Sequence, residues 1–322
     1  GDLTLYAGWD ANTYTYILND NYGSNSNKTL VSIKYMARPT KQLAVLPTRT
    51  GYTFDGYYSG NTQVYDSSGV FTSKRVPNYI NLFGYWCGTD NDFVLYAHWT
   101  AKSYRVLISD SSGGMTVTDS SIEVETEGEE AYITTTYNSS KYYNLGISFS
   151  RVGYTFMGLY SYPGLTQAYD ANRRCVNGTG FWSNNLWVCD WDEDDDLELL
   201  AVYSANTYKI TLDKVESGAT LGTSSFNVAY ERNTNNSIGS SIVPILNGKY
   251  FLGWFTAKTG GIKVYGNSGT YYAGASGYWK SLNSSYVWAH AGDVTLYAQW
   301  ADTWATHTSQ PSGKGESDSP YL

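Results

Sequence analysis

Four short landmarks recur three times in one order along this chain, and that repetition constrains the fold more than any bulk property does. The first reads Gly51-Tyr52-Thr53-Phe54-Asp55-Gly56-Tyr57-Tyr58. It returns as Gly153-Tyr154-Thr155-Phe156-Met157-Gly158-Leu159-Tyr160 and, worn, as Gly248-Lys249-Tyr250-Phe251-Leu252-Gly253-Trp254-Phe255. The second follows as Val64-Tyr65-Asp66, Ala168-Tyr169-Asp170 and Val264-Tyr265-Gly266. The third is Gly84-Tyr85-Trp86, Gly180-Phe181-Trp182 and Gly277-Tyr278-Trp279. The fourth closes each copy: Val94-Leu95-Tyr96-Ala97-His98-Trp99, then the degenerate Glu198-Leu199-Leu200-Ala201-Val202-Tyr203, then Thr295-Leu296-Tyr297-Ala298-Gln299-Trp300. Self-similarity at a long, regular period marks a tandem series of supersecondary units.

The closing landmark also stands at Leu3-Thr4-Leu5-Tyr6-Ala7-Gly8-Trp9. Residues 1–10 therefore read as the closing strand of a preceding repeat, within a longer array. Residues 11–100, 101–204 and 205–301 read as three repeat modules. Residues 302–322 turn to Ser, Thr, Gly and Pro with scattered charge, the composition of a polar linker or disordered tail.

Within a repeat the periodicity is that of strands. In the closing landmark Leu, Ala and Trp (or Tyr) alternate, which places them on one face, with the small Ala leaving room for facing side chains. Each repeat opens on a further strand pattern: Tyr14–Leu18, Tyr104–Ile108 and Tyr208–Leu212. The glycines of the first landmark suit turn or bulge positions, with Tyr52, Phe54 and Tyr57 supplying aromatic packing. The expected fold is mostly β, as three tandem repeat modules in an extended array. No long amphipathic helix is visible; a short helical turn inside a repeat is a form the pattern allows.

Composition narrows the partners. Of 322 residues 32 are Tyr, and charged residues make up only 16%, against roughly 25% in an ordinary globular domain. The net charge of −8 leaves no basic stripe for nucleic acid. Nothing approaches the roughly 18 apolar residues of a membrane-spanning helix, so no membrane insertion is expected. The three Cys are too few for a disulfide framework; Cys175 and Cys189 share a module and either pair or stay as buried thiols.

An opening strand, Gly-Tyr-Thr-Phe-x-Gly, Tyr-Asp and Leu-Tyr-Ala-x-Trp in this order resemble the Listeria–Bacteroides repeat, the B-repeat of internalin-type surface proteins. The resemblance covers about residues 1–300. It implies compact β-grasp-like α+β modules, tandem arrays in secreted or wall-attached bacterial proteins, an adhesive or spacer role, and no catalytic residues. One departure stands out. The stretch between the Tyr-Asp and Leu-Tyr-Ala landmarks is longer here and rich in Trp: Trp86, then Trp182, Trp187 and Trp191, then Trp279 and Trp288.

That insertion holds the ligand-binding candidates. Exposed Trp and Tyr can stack on the apolar faces of sugar rings, or such side chains can seal an edge. Because the Gly-aromatic-Trp core recurs, it reads as structural; the less regular Trp187, Trp191, Tyr286 and Trp288 are the binding candidates. The acidic run at Asp190, Asp192 and Asp194 offers alternating carboxylates for Ca²⁺, or is a solvated loop; it lacks the Gly and closing Glu of an EF-hand loop. Glu123, Glu125 and Glu127 alternate as on an exposed strand face, with Ile122 and Val124 turned inward. No hydrolase, P-loop, zinc-protease or dinucleotide motif appears, so no enzyme and no cofactor are expected. The expectation is a non-catalytic stalk or spacer on a bacterial cell surface, with adhesion possible through a host or neighbouring-cell protein or glycan, through adjacent repeats, or by self-association. A glycan-binding array and a self-assembling filament or sheath are its alternatives.

Overall fold

The computed structural model describes residues 2–23, 26–191, 197–233 and 237–302. The first sheet contains β1 (Thr13–Asn19), β2 (Lys28–Lys34), β3 (Tyr52–Ser59), β4 (Thr62–Tyr65) and β5 (Val94–Ala101). Its order is β2-β1-β5-β3-β4. Then come β6 (Ser103–Ser109), β7 (Met115–Val117), β8 (Glu123–Thr126), β9 (Glu130–Thr136), β10 (Ile147–Phe149), β11 (Tyr154–Ser161), β12 (Gln167–Asp170), β13 (Trp182–Ser183), β14 (Leu186–Trp187) and β15 (Leu197–Ala205). Six of these form the second sheet, β8-β9-β6-β15-β11-β12, while β7 pairs β10 and β13 pairs β14. The third group is β16 (Thr207–Asp213), β17 (Ser225–Ala229), β18 (Lys249–Phe255), β19 (Lys263–Tyr265), β20 (Trp279–Leu282), β21 (Ser285–Trp288) and β22 (Val294–Asp302). Its sheet runs β17-β16-β22-β18-β19, with β20–β21 as a separate hairpin.

The fold is mostly β. One strand order recurs in all three sheets, with β8 as an addition at one edge of the second. In each, the closing strand lies in the centre, parallel to the opening strand and antiparallel to the Gly-Tyr-Thr-Phe strand: Leu18 opposite Leu95, Ile108 opposite Leu199, Leu212 opposite Leu296. The only helical element among the described residues is a 3₁₀ turn, Gly239–Ile242, so those residues show no α+β form of the kind the resemblance implies. Each sheet with the loops it carries is called a unit below.

Alternation works as its period demands. Leu95, Ala97, Leu199, Leu296 and Ala298 are buried, while Tyr96 between the first two faces solvent. Three separate hydrophobic clusters result, one on each sheet. Leu3–Trp9 forms no strand; Leu3, Leu5, Tyr6 and Trp9 are 83–93% exposed. The reading of Val124 as inward is corrected as well. Every residue of β8 is exposed, because this outermost strand lies beyond the layer that covers the sheet. Ile122 just before it is buried, and Glu125 pairs with Arg105 at 2.9 Å.

The first and second landmarks travel together for a steric reason. The pairing of β3 with β5 slips by one residue between Phe54 and Gly56, and the same bulge falls between Phe156 and Gly158 and between Phe251 and Gly253. At each bulge the glycine has φ between 128° and 138°, and a Cβ there would overlap the backbone carbonyl of Tyr65, Tyr169 or Tyr265. Those tyrosines are themselves fully buried. Gly158→Ala is therefore expected to lower stability by about 1–3 kcal/mol from backbone strain, with the carbonyl clash added. Gly60→Ala, where a Cβ would meet nothing within 4 Å, should cost about 1 kcal/mol. Urea unfolding of the two variants compares them directly.

Candidate functional site

The insertion folds into an aromatic hairpin whose roles differ from those its sequence suggests. Trp187 and Trp288 are fully buried, so neither presents a ring face to a ligand. Tyr286 is half-buried and stacked on Tyr271 at 4.7 Å. Trp191, at 36% exposure, is the most accessible of the four candidates. Hydrogen bonding also corrects the alignment of the third landmark. Trp86 gives its backbone carbonyl to the N–H of Met36 at 2.8 Å; Trp187 does so to Asn138 at 2.7 Å and Trp288 to Glu231 at 2.8 Å. The next residues match too: Cys87, Val188 and Ala289 donate to the carbonyls of Tyr79, Phe181 and Tyr278. Trp86, Trp187 and Trp288 thus hold one structural position, and Ile80 holds that of Trp182 and Trp279. The two tryptophans taken as irregular are the recurring core residues. Trp187 packs edge-on against Trp182, and Trp288 against Trp279, each at 5.3 Å.

This hairpin anchors a contact between units. Met36, Asn138 and Glu231, which donate to the tryptophan carbonyls, have φ of 59°, 64° and 51°. The residue before this left-handed step is a tyrosine in every unit, Tyr35, Tyr137 or Tyr230. The N–H of Tyr137 donates to the carbonyl of Lys102, and the N–H of Lys102 to the carbonyl of Gly51 in the unit before, both at 2.9 Å. Tyr230, Asn206 and Gly153 repeat the relay with the same distances. Lys102 is the single residue between β5 and β6, and Asn206 the single residue between β15 and β16. Each linker therefore has both backbone groups bonded.

The tyrosine ring lies flat on the glycine. A Cβ on Gly51 would overlap ring atoms of Tyr137, and one on Gly153 those of Tyr230. Tyr52 meets Tyr137 edge-on at 5.4 Å, and Tyr154 meets Tyr230 at 5.7 Å, contacts worth about 0.5–1.5 kcal/mol each. Arg49 lies over Tyr52 and Arg151 over Tyr154, each at 3.8 Å. In the first unit Tyr35 donates to the carbonyl of Asn12 at 2.9 Å, and its side chain is 41% exposed.

A carboxylate closes each joint. Asp190 accepts from the N–H of Gly51 at 3.0 Å, from the hydroxyl of Tyr104 at 2.7 Å and from Nζ of Lys102 at 3.1 Å. Glu231 accepts from the hydroxyl of Tyr154 at 2.6 Å and from Arg151 at 3.2 Å, and also bonds Lys280. Burial pushes both carboxyls up, but the donors and the neighbouring cations outweigh it and hold each below its ordinary value. Asp190, read from the sequence as a Ca²⁺ candidate or as part of a solvated loop, instead has its oxygens on an ammonium and two hydrogen-bond donors, and so belongs to the joint. Asp192 and Asp194 lie outside the described residues. Among the described residues no three His, Cys, Asp or Glu side chains gather as a metal site. Cys175 and Cys189 are unpaired thiols, and burial raises that of Cys189 to about 11.

No protein-family model matches the chain. Two proteins of Evansella cellulosilytica are similar to it. One, provisionally named a membrane protein, is 24% identical over 302 residues, which is 93% of this chain and 35% of that protein. The other, provisionally named a Gly-rich membrane protein, is 25% identical over 300 residues, 92% of this chain and 26% of that protein. The chain thus spans about a third and a quarter of these relatives. Among its described residues no helix is long and apolar enough to cross a membrane.

Two outcomes test these assignments. Trp187→Ala and Trp288→Ala should each cost about 3–5 kcal/mol, as for large core aromatics, and both indoles should resist acrylamide quenching; Trp191→Ala should cost far less. The joints should be acid-labile. A carboxylate whose folded pKa is depressed contributes stability that is full above the unfolded value, 3.8 for Asp and 4.5 for Glu. It is lost as pH falls through the lower folded value. Asp190→Asn and Glu231→Gln should each remove on the order of 1 kcal/mol at neutral pH. They should also flatten the fall of Tm between about pH 5 and pH 3, read by calorimetry.

Proposed function

We propose that this chain is a non-catalytic spacer region of an extracellular bacterial surface protein, made of tandem modules like those its landmarks resemble, which holds an adhesive part away from the cell. The observation that carries this reading is the joint. The same contact is built twice, through one-residue linkers whose N–H and C=O are both hydrogen-bonded. A tether that only connects functional domains has no need of such a contact, whereas a stalk that must keep its direction does. Separate cores support it further: each unit buries its own aromatic cluster, so length is added unit by unit without a larger core. The relatives fit, since in them the matched region is a minor part of a longer protein named for a membrane. A listener at the cell surface, whether protein or glycan, would then be met by another part of the parent protein.

Small-angle X-ray scattering of the 322-residue chain tests the reading. The expected result is the profile of a stiff rod of three modules in file, little changed by salt. A compact globule, or a pair-distance distribution typical of freely jointed beads, would remove the spacer role.

A further inference from the structure

The three units provide an internal comparison at the residue that follows the opening strand. It is Asp20 in the first unit, Asp110 in the second and Lys214 in the third. They are aligned by the closing-strand aromatics: Trp99 donates to the carbonyl of Asp20, Tyr203 to the carboxylate of Asp110, and Trp300 to the carbonyl of Lys214. The carboxylate of Asp110 is satisfied on both oxygens, by Ser112 on Oδ1 and by Tyr203 on Oδ2. The ammonium of Lys214 is taken by the carbonyls of Ser217 and Ala219. Asp20 differs. It is 7% exposed, its Oδ1 accepts from the hydroxyl of Tyr57 at 2.8 Å, and its Oδ2 accepts no hydrogen bond from the described residues. That second oxygen is not sealed from solvent and is free to meet a donor from outside the unit.

Asp20 and Tyr57 line a groove of about 640 Å³ walled by Leu18, Val31, Leu43 and Leu46. Thr29 and Val31 on its rim belong to β2, which is an edge strand of the first sheet. In the second sheet the matching edge, β9, carries an added strand. There β8 sets Val124 opposite Ala131, and Ala131 pairs with Ile108 as Thr29 pairs with Leu18. A strand laid on β2 as β8 lies on β9 would therefore turn alternate side chains to the face of Thr29, which in the first unit is lined by the groove rather than open as it is at β8.

We propose that the first unit binds an extended polypeptide segment of a partner protein, which adds a strand to the β2 edge and sends a lysine side chain into the groove to meet Asp20. The chemistry follows from the walls. The apolar sides accept the aliphatic stem, and the carboxylate at depth supplies the acceptor that an ammonium requires. Backbone pairing along β2 gives affinity and the groove gives specificity. The site stands on the first unit alone, so it survives or fails apart from the spacer reading.

The test uses the full chain and a set of synthetic ten-residue strand-forming peptides, each made with a central lysine or with norleucine in its place. Binding is read by calorimetry, and the β2 amides by hydrogen exchange. The expected result is saturable binding of lysine peptides, with slowed exchange along Lys28–Lys34. Norleucine in the peptide, or Asp20→Asn in the protein, should each weaken it tenfold or more; Asp110→Asn should leave it unchanged. Circular dichroism checks that Asp20→Asn folds, and the lysine–norleucine comparison on the unaltered chain decides the matter if it does not. Equal affinity for the two peptides, binding without protection of β2, or no binding by any lysine peptide would overturn the proposal.

Discussion

Every unit depends on the placement of its last strand in the middle of its sheet. The opening strand has only β2, β9 or β17 beside it until the closing strand arrives, and the Gly-Tyr-Thr-Phe strand has only its own hairpin partner. The parallel pairing of Leu18 with Leu95, and of Leu212 with Leu296, joins the two halves. A unit is therefore complete only when its final landmark is in place. The next unit begins one residue later, so completion of one sheet also sets the direction from which the next one starts. The joint is thus tied to the closure of the core, and tyrosine on glycine locks what the one-residue linker has already restricted.

The aromatic richness acquires a structural meaning from this arrangement. Sheets without a covering helix must fill their second layer with loops, and loops bury little area per residue unless their side chains are large. Trp86, Trp187 and Trp288 serve as that second layer, while their carbonyls hold the left-handed residue behind the joint tyrosine. Core and joint share these residues, so the insertion that seems an ornament on the module is the part that supplies its roof.

The opening and closing strands, the buried face of the closing strand and the glycine bulge were legible in the sequence because each rests on short-range rules: period two, and φ values that only glycine takes without strain. The equivalence of Trp86 with Trp187 and Trp288 was not. Gly-aromatic-Trp matches as a string, but the hairpin turns are of different lengths. Asn184 and Asn185 turn the second, Asn283 and Ser284 the third, while five residues separate Ile80 from Trp86 in the first. A string match then aligns the wrong arm of the hairpin. The signal that would have found the right one is the buried partner, Ile80 in one copy and Trp in the others, and that is visible only once the arms are paired. The joint was hidden for a related reason. Gly51, Lys102, Tyr137 and Asp190 are distant in sequence, and none is unusual alone.

Repetition also separates what the fold requires from what one copy has been free to change. Where all three units agree, as at the bulge glycine and the buried tyrosine after it, one steric demand accounts for the residue. Where they differ at a single position, the fold tolerates each choice and the difference needs another cause. Asp20, Asp110 and Lys214 occupy one place with three solutions, two of them electrostatically closed by neighbours from the same unit. The edge strands differ as well: β9 is covered by β8, whereas neither β2 nor β17 is covered by any strand among the described residues. Of the three units, only the first sets an uncovered edge beside a carboxylate with an oxygen open to a groove. That combination answers no demand of length or of core packing, and it sets the first unit apart from the array it belongs to.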